Sequence, residues 1–154
     1  MPKIDIAKAV MRTTSGYPGD LKLACVGREK AALGNLAGLT QFGVNLTRLK
    51  PGAASALRHW HENEDEFVFV LEGELMLIED DGETRLGIGE AAGFKAGVPN
   101  GHHLVNKSQR DAVYLEIGTR AERECAHYPE HDLVAKKDGK DFAYFHKSGE
   151  PYGT

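Results

Sequence analysis

Short apolar runs that alternate with polar positions, cut by frequent turn residues, set the pattern of this chain. Alternation of period two places every second side chain on one face of a strand. Asp20 to Val26 reads this way, with Leu21, Leu23 and Cys25 against Lys22 and Ala24. Leu39 to Leu49 reads as a second strand, closed by the turn residues Pro51-Gly52. Glu66 to Leu71 and Glu74 to Glu79 follow, joined tightly through Glu72-Gly73. Asp80-Asp81-Gly82-Glu83 is the clearest hairpin turn, because Asp-Gly tolerates the positive φ such turns require. Thr84 to Ile88, Ala91 to Lys95, His102 to Asn106 and Ala112 to Gly118 continue the series. Regular short strands between turn signals predict an all-β sandwich, jelly roll or barrel. Only Ile4 to Met11 and Arg28 to Leu33, around Ala31-Ala32, read as helical.

Within Glu66 to Leu71 both faces are apolar. If Glu66 faces inward, Val68 and Val70 share its face while Phe67, Phe69 and Leu71 take the other. Such a sheet needs a cover on its outside. N-terminal strands, the C-terminal residues or a second copy of the chain would supply it, so a homodimer is expected. The last stretch, from Arg120-Ala121-Glu122-Arg123-Glu124 onward, is charged but carries Tyr128, Leu133, Val134, Phe142, Tyr144 and Phe145. These anchors argue against disorder and for an ordered arm over the barrel or a neighbouring subunit.

The chain has 154 residues, enough for one domain that buries roughly 70% of its unfolded surface. It divides into an N-terminal segment with first strands (1–38), a barrel (39–119) and a C-terminal arm (120–154). The net charge of −4 comes without a basic cluster, which argues against nucleic acid as a partner. No apolar run approaches a bilayer span, and the N-terminal residues lack the apolar core of a signal peptide. A cytoplasmic location is expected, with Cys25 and Cys125 reduced rather than paired.

Chemistry concentrates in His59-Trp60-His61-Glu62-Asn63-Glu64-Asp65-Glu66. His59 and His61 project to one face of an extended strand, and Glu66 opens the next strand. Two imidazoles and a carboxylate make a nitrogen and oxygen donor set that suits iron, manganese, nickel, copper or zinc. Downstream, either His102 or His103 can add a fourth donor, but not both, since neighbours on a strand point oppositely. Glu62, Glu64 and Asp65 read as a solvated rim, with Glu64 the one substitute for Glu66. Trp60 is expected to pack opposite the histidine pair. His127 and His131 read as surface histidines, with Pro129 between them. Gly87-x-Gly89-x-x-x-Gly93 has the wrong spacing for a dinucleotide loop, and no Gly-x-Ser-x-Gly nucleophile motif occurs.

His59-x-His61, four residues, Glu66, six residues and Gly73 resemble the first motif of the cupin superfamily. Gly89, Lys95-Ala96-Gly97, His102 and Asn106 resemble the second. The resemblance covers about residues 40 to 118 and departs in three places. Ala53 stands where the first motif has glycine, Lys95 where the second has proline, and Asn100-Gly101 inserts before His102. It implies a double-stranded β-helix (jelly-roll) cupin barrel, with a short N-terminal helical segment and an ordered C-terminal arm. It also implies one divalent transition metal ion per chain, held by His59, His61, Glu66 and His102. His102 keeps the spacing to Asn106 and a face shared with Leu104; His103 stays the alternative.

The reaction is left open by these motifs. A metal-dependent enzyme of dioxygenase or isomerase type, acting on a small oxygen-rich molecule, is one reading. Tyr114 and Glu116 are then candidates for acid or base. A small-ligand binding or sensing module without catalysis is the other. A sugar-processing isomerase or epimerase finds no support in a basic cluster, because Arg48, Arg58 and Arg85 are scattered.

Overall fold

The structure, a computed structural model, describes residues 2–153. Its strands are β1 (Met11–Arg12), β2 (Arg28–Ala32), β3 (Phe42–Leu49), β4 (Trp60–His61), β5 (Glu66–Glu72), β6 (Leu75–Glu79) and β7 (Gly82–Leu86). They continue with β8 (Ala91–Phe94), β9 (His103–Val105), β10 (Ala112–Thr119), β11 (Arg123–Tyr128), β12 (Leu133–Asp138) and β13 (Phe142–Phe145). One antiparallel sheet has six strands in the order β1-β2-β3-β10-β5-β8. The other side is built from β7-β6-β9 and β13-β12-β11-β4. The isolated bridges Ala54↔Val105 and His59↔His102 join those two pieces. This is the expected all-β jelly-roll barrel.

Alternation explains how the layers meet. Val68 and Val70 of β5 and Tyr114 of β10 are buried against Leu75, Leu77 and Leu86 of the facing strands. A second cluster gathers Leu57, Ala126, Tyr128, Leu133 and Ala135, with Tyr17 and Cys25 from the N-terminal segment. The hairpin of β6 and β7 pairs Glu79 with Gly82, so Asp80 and Asp81 form its tip. Gly73 carries the chain between β5 and β6 with φ at 72°.

Three local expectations are corrected. Asp20 to Val26 is not a strand: Gly19–Cys25 forms a 3-10 helix started by Pro18 and Gly19. That turn buries Cys25 and leaves Leu23 61% exposed, so the alternation there had no ladder to join. Arg28–Ala32 is a strand and not a helix, because it finds a complete partner in β3, from Arg28↔Leu49 to Ala32↔Asn45. Ladder pairing overrides the local helix preference of Arg, Glu, Lys and Ala. Among the described residues, α-helix is limited to Leu33–Leu36 (α1). At the N-terminus helical structure shrinks to one 3-10 turn, Ile6–Lys8, capped by Asp5.

The C-terminal residues are ordered, as expected, and form a three-stranded meander. β11 pairs with β4 through Ala126↔His61 and His127↔Trp60, so the C-terminal strands extend the sheet that bears the histidines. Cys25 and Cys125 are both free. Among the described residues, no helix is long and apolar enough to cross a membrane.

Candidate metal centre

His59, His61, Glu66 and His102 meet at one wall of a cavity of about 300 Å³ between the layers. His61 lies in β4 and Glu66 opens β5, so the loop between them folds the carboxylate back over the imidazoles. His102 is aligned by direct pairing with His59, since each backbone N–H donates to the other's carbonyl at 3.2 and 3.0 Å. The Glu66 carboxylate sits in the middle. Its Oε1 lies 3.2 Å from His61 Nε2 and 3.8 Å from His59 Nε2, and its Oε2 lies 2.7 Å from His102 Nε2.

The second histidine of the downstream pair turns away. His103 Nδ1 meets the carbonyl of Ala56 at 2.7 Å, and the ring takes no part in the cavity wall. The two-residue parity of strands thus separates His102 from its neighbour.

The donor set fits a transition-metal ion. His59 Nδ1 donates to the carbonyl of Leu57 at 2.7 Å, which orients the ring with Nε2 toward Glu66. Nδ1 of His61 and of His102 are buried without a hydrogen-bond partner, so both rings are oriented by their Nε2 side. Burial alone would raise the Glu66 carboxyl. Hydrogen bonds from His102, His59 and His61 outweigh it and hold the group well below its ordinary range. Burial lowers His61, and the bond and charge of Glu66, with Glu124 and Glu64 behind, reverse that into a net rise. Packing completes the setting: Phe94 stacks on His102 at 3.5 Å and Tyr128 on His59 at 5.4 Å.

Opposite this wall, the cavity is lined by polar groups of the six-stranded sheet. Lys30, Asn45 and Glu116 lie on its inner face, since Val68 pairs with Glu116 and Glu116 with Asn45. Glu116 Oε1 accepts from Lys30 Nζ at 3.0 Å and from Asn45 Nδ2 at 3.2 Å. Burial would raise this carboxyl, but the Lys30 charge and these bonds bring it below its ordinary value. Tyr114 is fully buried beside it, its hydroxyl 3.5 Å from Glu116 Oε2.

Arg28 also lines the cavity and was not read as a site residue. Its Nη1 donates to Ser55 O at 2.7 Å and its Nη2 to Thr14 O at 3.2 Å. Among the described residues it has no carboxylate partner.

Glu64 is not a solvated rim residue. It is buried and paired with Lys137 Nζ at 2.6 Å. His127 is likewise more than a surface histidine, since its ring stacks on Trp60 at 4.4 Å. Trp60 does face away from His59 and His61, as alternation required. Glu124, behind His61, gave no signal in the sequence, because its burial depends on pairing with a distant strand.

A Cupin domain model matches residues 45–118. A sugar phosphate isomerase of the cupin superfamily from Silicibacter pomeroyi is 46% identical, with a TM-score of 0.94 over 99% of this chain and 98% of that one. The chain belongs to the cupin superfamily. It also resembles a proposed sugar phosphate isomerase from Acidithiobacillus ferrooxidans, at 24% identity and TM-score 0.77 over 90% of this chain and 91% of that one. The polyketide cyclase RemF of Streptomyces resistomycificus shares the fold at 20% identity and TM-score 0.62, over 77% of this chain and 79% of that one. No curated protein matches the sequence.

Proposed function

We propose that this cupin is a metal-dependent enzyme of isomerase type, acting on a small oxygen-rich molecule that carries an anionic group, as a sugar phosphate does. The observation that carries this reading is the two-sided cavity. One wall presents three imidazoles and a carboxylate, and the rest presents Arg28 without a carboxylate partner and the Lys30–Glu116 pair. The Silicibacter pomeroyi relative supports the substrate class. The ligand set is His59, His61, Glu66 and His102, and a bound divalent ion would polarise a substrate oxygen as a Lewis acid.

The chain's own groups supply the rest. Isomerisation between an aldose and a ketose moves one proton from a carbon to its neighbour and another between their two oxygens; Glu116, held ionised by Lys30 and Asn45, would take and return the carbon-bound one. Arg28 offers a fixed guanidinium for the anionic end, held by two backbone carbonyls so that its remaining donors can face the cavity. This revises the expectation that the chain lacks a basic phosphate site: Arg28 and Lys30 come from one strand whose inner face is set by pairing with β3.

The test combines metal analysis and turnover. Untagged protein should carry at least about one divalent ion per chain, and His61→Ala should carry about one fewer. Aldose–ketose phosphate interconversion should fall about 10²–10⁴-fold in Glu116→Gln. Equal metal content in wild type and His61→Ala overturns the ligand assignment. Sugar phosphates that stabilise the protein without being converted would leave a binding module instead, and oxygen uptake with such ligands would point to a dioxygenase.

We also propose a homodimer through the outer face of the six-stranded sheet. Phe67, Ile117 and Val44 form one cross-strand row there and Phe69, Leu115 and Leu46 the next, with Phe67 and Leu71 exposed. Light scattering should give twice the chain mass, and Phe67→Glu should halve it. A wild-type monomer overturns this.

A further inference from the structure

A second group of metal-type donors lies on the other face of the strand pair that carries His61. Because His61 and Ala126 point into the cavity, their neighbours point outward, and Glu62, Cys125 and His127 converge there. Glu62 N–H donates to the Cys125 carbonyl at 3.0 Å, which sets the carboxylate across from the thiol. One donor atom from each of the three residues lies within 4.8 Å of those of the other two. His127 Nε2 and Glu62 Oε1 are 2.7 Å apart. The ring of Trp60 stacks on His127 at 4.4 Å and 21°, which holds the imidazole plane toward the other two groups.

We propose that Glu62, Cys125 and His127 form an outer site for a divalent ion of the zinc class, separate from the His59–His102 cavity, with water completing the coordination. Thiol sulfur and imidazole nitrogen beside one carboxylate oxygen select a borderline-soft ion over magnesium or calcium. Tetrahedral zinc with such ligands needs donor separations of roughly 3.3–3.8 Å. Every donor pair here lies within 4.8 Å, and the exposed Glu62 side chain can move to open its 2.7 Å contact. Glu62 follows His61 directly, and its backbone N–H is held by Glu124 at 2.8 Å. An ion bound outside would therefore clamp β4 to β11 at the point where the inner histidine is mounted.

Sulfur separates the two sites experimentally, because the inner cage contains none. Cobalt(II) added to the untagged protein as isolated should produce a thiolate-to-cobalt charge-transfer band and quench the fluorescence of Trp60, the one tryptophan of the chain. Cys125→Ser should abolish the band, and His127→Ala should weaken cobalt binding by at least about tenfold, since even second-shell losses cost that much. His61→Ala should leave both signals in place. Zinc should displace the cobalt and magnesium should not. Absence of the band, its survival in Cys125→Ser, or its displacement by magnesium overturns the proposal. The inner-site assignment is judged by the metal content of His61→Ala and is untouched by any of these outcomes.

Discussion

The Glu124 carboxylate stands behind His61, with Oε1 3.9 Å from His61 Nδ1. It is buried, and its oxygens accept backbone N–H groups from Glu62 at 2.8 Å, Asn63 at 3.0 Å and Cys125 at 2.7 Å. One side chain thus fixes the turn after β4 and sets a negative charge at the rear of the imidazole. At that distance the carboxylate makes no hydrogen bond to the ring, and its charge adds to the net rise of His61. Glu124→Gln should weaken metal binding by about 10–100-fold, measured by chelator competition. Glu124→Ala should in addition destabilise the fold, because it takes the acceptor from the Asn63 and Cys125 N–H groups at up to about 1–3 kcal/mol each. Unchanged metal affinity in Glu124→Gln would confine the residue to a role in the turn.

Glu116 makes a prediction about pH. Its carboxyl is held below the ordinary value of 4.5 by Lys30, against burial that acts the other way. A depressed folded value means that the group contributes stability above its unfolded pKa and that this contribution is lost as pH falls through the folded one. Glu116→Gln, which leaves Lys30 without its counter-ion, should therefore destabilise by about 1–3 kcal/mol near neutrality. The difference from wild type should shrink between about pH 4 and pH 2. Denaturant midpoints across that range read it directly, and a difference that stays constant would detach Glu116 from Lys30.

Much of this architecture was readable from spacing. Glu66, Val68 and Val70 point inward and Phe67, Phe69 and Leu71 outward, as alternation required, because a strand's two faces are written in its own residues. The hairpin tip at Asp80 and Asp81 was equally local. What escaped was set by distant partners. Arg28 and Lys30 belong to a stretch that reads as helical, and only the ladder with β3 turns them toward the cavity. Glu64, Glu124 and Lys137 sit in charged stretches whose burial comes from β11 and β12 folding back against β4. A charged residue buried by a non-local pairing leaves no periodic trace.

Gly73 tests the passage between the two layers. With φ at 72°, any other residue meets the left-handed penalty of about 1–2 kcal/mol. A Cβ there would also lie 2.6 Å from the carbonyl oxygen of Asp111 and 3.0 Å from Cα of Ala112, both backbone atoms. Gly52, with φ at 85° and nothing within 4 Å, carries the conformational penalty alone. Gly73→Ala should therefore cost more than Gly52→Ala by at least about 1 kcal/mol in chemical denaturation. Equal costs would mean that the Asp111 turn moves aside freely.

The ion pair of Glu64 with Lys137 ties the last strands of the chain to the loop that delivers Glu66. Their atoms approach to 2.6 Å, and the side chains are only 10% and 7% exposed. Burial pushes the Glu64 carboxyl up, and Lys137 acts against that without fully cancelling it. Desolvation thus offsets what the attraction returns, so the pair as a whole adds little net stability. Removing one partner is different, because it leaves the other charge buried and alone. Lys137→Met and Glu64→Gln should each destabilise by about 3–5 kcal/mol, while the double variant should recover most of that loss. Since Glu64 stands two residues before Glu66, Lys137→Met should also weaken metal binding, whereas the double variant should restore it together with stability. A double variant whose stability cost equals the sum of the single ones would show that the two residues act independently.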